Sequence, residues 1–60
     1  MKKENVIKGL CSVLAVARIA QENDTRQSSV SLLIDNKDKE TLDLHTKYYN
    51  EFMDVFNQLI

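Results

Sequence analysis

The chain contains no proline and no tryptophan, and one residue each of glycine, cysteine and histidine among its 60 residues. Each scarcity excludes something. One cysteine cannot close a disulfide within the chain, nor build a zinc site that depends on several thiolates. One glycine rules out the glycine-rich loops that cradle phosphates. Eight basic and nine acidic residues give a formal charge of −1, a near-neutral balance that argues against a dedicated nucleic-acid binder. No apolar run approaches the roughly 18 residues that a membrane-crossing helix needs.

What remains is apolar enough to fold. Hydrophobic residues make up 43% and charged residues 28%, a mixture unlike that of a disordered tail. The length allows one domain, residues 1–60. A chain this short hides only about 60% of the surface its unfolded form exposes. Ordering costs roughly 1.5 kcal/mol per residue, which nearly cancels the gain from burial, and small folds are usually held by disulfides, a metal or a second chain. Association is the route this composition leaves open.

Apolar periodicity predicts an all-α chain. From Glu4 to Glu22, at about 100° per residue, Val6, Leu10, Val13 and Ala17 fall together. Ile7 and Leu14 flank them on one side, and Ala20 and Val16 on the other. Lys8, Ser12, Ala15 and Glu22 lie opposite, with Cys11 at the edge of that polar arc. The apolar arc covers about half the circumference, wider than the usual stripe of roughly 100°. Gly9 sits at its margin, at a cost of about 1 kcal/mol against alanine. It is either a tolerated defect or a place where another backbone comes close, and the former is favoured.

Asn23 and Asp24 mark a break. Asp24 and Gln27 have the spacing of a capping box, and Val30, Leu33 and Ile34 follow at helical intervals, predicting a short helix from Thr25 to Ile34. A β-hairpin competes here, because Ser29 to Leu32 and Thr41 to Leu44 alternate like strands. The absence of glycine and proline from the intervening turn counts against it. Asn36 is expected in the left-handed conformation that ends a helix, and Asp38 as the next N-cap.

From Lys39 to Leu59 the signal is clearest. Leu42, His45, Tyr49, Phe52, Phe56 and Leu59 recur at intervals of three and four, an a/d seam with one polar member. Tyr48 and Val55 widen it on one flank, and Met53 and Ile60 on the other, although Ile60 lies outside the residues described below. The opposite face is uniformly polar, from Asp43 through Lys47 and Glu51 to Gln58. Two long helices of similar length, with a short one between them, cannot cover two half-circumference apolar faces. The expected architecture is therefore a small helical bundle completed by dimerisation, with Leu10, Leu14, Leu42, His45, Tyr49, Phe52, Phe56 and Leu59 as interface residues.

Chemistry finds little support. His45 is expected as a satisfied core histidine, with a pH-sensitive seam as the sharper alternative. Glu40, Asp43 and His45 do not share a face, and Asp35 to Glu40 lacks the glycine of a calcium loop, so neither metal nor cofactor is expected. Cys11 reads as a small hydrophobe rather than a nucleophile. Glu51 and Asp54 belong to a solvated surface with i, i+4 support from Lys47. The start of the chain resembles a weak export signal, with Met1-Lys2-Lys3 followed by Leu10 to Ala17, but Lys8 and Gly9 interrupt the apolar part. A cytoplasmic location is expected. The resulting function is a non-enzymatic protein–protein interaction module, a small regulator, inhibitor or chaperone-like protein that forms a homodimer and engages a protein partner. The alternative is a helical dimer that binds nucleic acid through Lys2, Lys3, Lys8 and Arg18, although no aromatic residue interleaves with these cations to stack on bases.

Overall fold

A computed structural model describes residues 2–59 of the chain. They form three helices in order: α1 (Lys3–Glu22), α2 (Gln27–Asp35) and α3 (Lys39–Leu59). There is no strand among the described residues, so the segment that could have been a hairpin is helical. The protein is a small all-α bundle.

The two turns are the same device used twice. At the end of α1, Asp24 takes the left-handed conformation at φ 51°. The N–H of Thr25 donates to the Ala20 carbonyl at 2.9 Å, and that of Asp24 to the Gln21 carbonyl at 3.3 Å. At the end of α2, Lys37 is left-handed at φ 59°. The N–H of Asp38 donates to the Leu33 carbonyl at 2.9 Å, and that of Lys37 to the Ile34 carbonyl at 3.0 Å. Both pairs are Schellman closures, which satisfy carbonyls that the ending helix would otherwise orphan.

Two expectations are corrected by these turns. Asp24 does not cap α2. It is consumed in closing α1, and Arg26, extended at φ −84° and with no side-chain cap bond, stands at the α2 N-cap. The left-handed residue after α2 is Lys37, while Asn36 stays at φ −85°. Asp38 does cap α3: its Oδ2 accepts the Thr41 N–H at 3.1 Å and the Thr41 hydroxyl at 2.7 Å. That second bond lets the polar Thr41 be buried.

α3 runs back along α1, so that Glu4, Ile7 and Lys8 near the start of α1 border one cavity with Met53 and Asn57 near the end of α3. α2 lies against the C-terminal half of α1 and contributes Val30, fully buried. Ala15, Ile19, Ala20, Val30 and Tyr48 form the core, with Val16, Ile34, Leu44, Tyr49 and Phe52 packed around it. The core is small, as the chain length requires. The radius of gyration is 11.8 Å, above the roughly 10.4 Å of a typical 60-residue domain.

Candidate functional site

α1 is apolar on two sides, and the structure buries the less apolar one. Cys11, Ala15 and Ile19, one turn apart, are fully covered. Ser12 and Glu22, on the same side, are also turned to α3. Ser12 Oγ and His45 Nε2 lie 3.2 Å apart. The Tyr48 hydroxyl donates to Glu22 at 2.7 Å to Oε1 and 2.5 Å to Oε2. The stripe that the helical wheel places at the centre of the apolar arc faces solvent instead: Val6, Leu10 and Val13 are 43, 48 and 60% exposed, and Leu14 on its flank is 37% exposed. The wheel's position for Cys11 and Ala15, on or beside the polar arc, is corrected by the same observation.

Shape explains the inversion. α3 presents Tyr48, Tyr49 and Phe52 toward the core, and such rings need room. Cys11 and Ala15 leave it, whereas Leu10 and Val13 would hold α3 away. The rings of α3 then lie on a strip of small α1 residues, with Ile19 and Val30 filling the space beside them. The polar groups on that strip find partners, so no buried side-chain nitrogen or oxygen among the described residues lacks a hydrogen bond.

The residues singled out as an interface divide accordingly. Leu10, Leu14 and Leu59 are exposed, Leu59 to 76%. Leu42, His45, Tyr49, Phe52 and Phe56 are half-buried, and of these Tyr49 and Phe52 pack against the core of their own chain. Leu32 and Leu33 on α2, 62 and 41% exposed, and Val55 on α3 add further exposed apolar surface. Leu32 falls outside the Val30, Leu33, Ile34 spacing, and it is the more exposed of the two leucines.

A cationic and acidic cluster closes one side of the α1–α3 contact. The Arg18 guanidinium lies 4.4 Å from the centroid of the Tyr48 ring and reaches Glu22 at 3.4 Å and Glu51 at 3.3 Å. The Tyr48 hydrogen bond, assisted by Arg18, holds the Glu22 carboxyl below its usual range, and the same bond pushes the Tyr48 phenol up. Both ion pairs are half-exposed and contribute little to stability, and of the two only Arg18–Glu51 joins α1 to α3.

The arrangement offers little catalytic geometry. Ser12 and His45 make a nucleophile–base pair in form, but His45's ring otherwise meets Tyr49, stacked at 6.2 Å between centroids. No carboxylate orients the ring through a hydrogen bond among the described residues, and a serine nucleophile depends on such a third group. Burial pushes the Cys11 thiol up, away from the reactive thiolate. No group of three or more His, Cys, Asp or Glu among the described residues could hold a metal ion. The cavity between Glu4, Ile7, Lys8, Met53 and Asn57 is about 210 Å³ and open to solvent. No described helix is long and apolar enough to cross a membrane.

Fold and surface together define a small three-helix bundle with an uncovered apolar helix face. No protein-family model, no curated protein and no solved structure matches the chain.

Proposed function

We propose that this chain is a non-enzymatic protein–protein interaction module, a small regulator, inhibitor or chaperone-like protein of the cytoplasm that self-associates through amphipathic helix faces. One observation carries the reading. α1 spends its small and polar residues on its own α3 and leaves Val6, Leu10, Val13 and Leu14 in water. A contiguous apolar stripe on a small protein is a liability unless something covers it, and such stripes mark sites of association.

An amphipathic helix face of this kind is suited to lie against another helix, with anchors read at intervals of three and four. Sedimentation equilibrium from micromolar to submillimolar concentration tests the reading. A mass that rises toward twice that of one chain is expected. A single-chain mass throughout that range would refute self-association.

A further inference from the structure

We infer that the covering partner is a second copy of this chain, docked on α1 in the antiparallel sense, so that Leu10 of each copy meets Val13 of the other and Val6 meets Ala17. The inference rests on the self-association just proposed and specifies its geometry.

The stripe itself has the required pattern. Val6, Leu10, Val13 and Ala17 are spaced 4, 3 and 4, the alternation of a helix–helix seam. Reversed and laid on itself, this series pairs a large residue with a smaller one in every layer. A two-fold axis between Leu10 and Val13 makes the contact self-complementary, as an isologous interface must be.

Charge selects the direction. Lys2 and Lys3 stand at the start of α1, and its last turn holds Glu22 with no basic residue. The last turn therefore lacks the basic residue that the helix dipole favours there, while at the start Glu4 offsets part of the charge of Lys2 and Lys3. An antiparallel neighbour supplies that missing positive charge beside the C-terminal end. Lys2 and Lys3 of one copy come beside Gln21 and the negative end of the other copy's α1, while Glu22 stays with Tyr48 on the far side of the helix. A parallel neighbour would place lysine against lysine.

Area is consistent with one such contact. A folded monomer of 6.9 kDa exposes about 4,000 Å², and this chain exposes 4682 Å². The excess of roughly 700 Å² is near the ~800 Å² that each side of a standard interface buries. Gly9, beside the stripe, has nothing within 4 Å of where a Cβ would stand. The chain gains no internal packing from a glycine there, whereas a second helix could approach closely over it.

The test uses the full chain. On a Cys11→Ala background, Lys3→Cys and Gln21→Cys are made separately, both at exposed positions. In the antiparallel pair, the residue 3 thiol of one copy meets the residue 21 thiol of the other. The two copies of either single variant keep their thiols about 27 Å apart, from 18 residues at 1.5 Å each. Under mild oxidation, a mixture of the two variants should form the mixed disulfide more than about tenfold faster than either symmetric one, because docking raises the local thiol concentration to the millimolar range. Val13→Lys, at a 60% exposed position, should leave the circular dichroism of a single chain unchanged and weaken the dimer at least tenfold, since it places an unpaired charge in the seam.

Faster symmetric disulfides, or a dimer indifferent to Val13→Lys, would overturn this geometry while leaving self-association standing. A single-chain mass at submillimolar concentration would overturn both.

Discussion

The Tyr48 hydroxyl donates to both oxygens of Glu22, at 2.7 and 2.5 Å, and so fastens the last turn of α1 to the middle of α3. The ring beneath that hydroxyl is part of the core, and Arg18 covers its outer face. One side chain thus joins the apolar interior to a polar cluster at its rim.

A pH dependence follows from this pair. Glu22 is held below its usual carboxyl range by Tyr48 first and Arg18 after it, and Asp38 by its two bonds to Thr41. A lowered folded pKa contributes stability that is present above the ordinary values of about 4.3 for Glu and 3.9 for Asp, and is lost as pH falls through the folded value. Tyr48 is shifted up by the same bond, so its contribution holds below the ordinary phenol value of about 10 and disappears above it. Thermal melts from pH 2 to 11 should show a plateau between about 5 and 8 with a fall at each end. Tyr48→Phe should lower the plateau and shrink the alkaline fall to the part that the buried Cys11 thiol contributes, while the acid fall from Asp38 remains. An unchanged alkaline limb in Tyr48→Phe would show that the Glu22 bond is not made in solution.

The second turn stores removable strain. Lys37 has a Cβ at φ 59°, and the left-handed region costs a non-glycine residue about 1–2 kcal/mol. Lys37→Gly removes that strain and gives back part of it through a freer unfolded chain. The net expectation is a gain of about 0.5–1 kcal/mol in urea unfolding. Asp24→Gly should gain less, because aspartate tolerates the same conformation better than lysine does. Destabilisation by Lys37→Gly would mean that the Schellman closure of α2 is not formed.

The boundaries of the two long helices were legible because they are local, whereas the start of α2 was not, since Asp24 is taken up in closing α1. The Lys39 start, the Asp38 cap and the Glu22 end each follow from residues within one turn. The left-handed position was displaced by one residue after α2, since Asn36 and Lys37 compete for it and the hydrogen bonds from Lys37 and Asp38 decide the outcome. The side of α1 that packs on α3 was not legible. A helical wheel ranks residues by hydrophobicity, whereas the α1–α3 contact is decided by the volume of Tyr48, Tyr49 and Phe52 and by partners some 30 residues away for Ser12 and Glu22. The surplus of apolar surface was legible even so, because it depends on how much of each helix is apolar and not on which way it turns.

Three substitutions test the orientation of α1 directly. Val13→Ala should change single-chain stability by no more than about 0.5 kcal/mol, because the side chain is exposed and alanine is the better helix former. Ala15→Leu should cost about 1–3 kcal/mol or more, since the position is fully covered and α3 would have to move. Phe52→Ala, half-buried against the core, should cost about 2 kcal/mol, below the 3–5 of a fully buried phenylalanine. If the wheel's apolar arc were the true core, Val13→Ala would be the costly change and Ala15→Leu the tolerated one. Denaturant melts on dilute protein, where association contributes little, separate the two orientations.

Gly9→Ala gives opposite signs for folding and association. Nothing lies within 4 Å of the added methyl, and alanine in place of glycine inside a helix is worth about 1 kcal/mol. In a dilute single chain the variant should therefore be more stable, with a melting temperature higher by roughly 4–8 °C for a domain of this size. A second copy lying over α1 would meet that methyl, so at high concentration the variant should dimerise more weakly than the parent. A gain in stability with no change in dimerisation would place the partner elsewhere on the surface. A loss of stability in the dilute chain would mean that the space beside Gly9 is already filled by the chain itself.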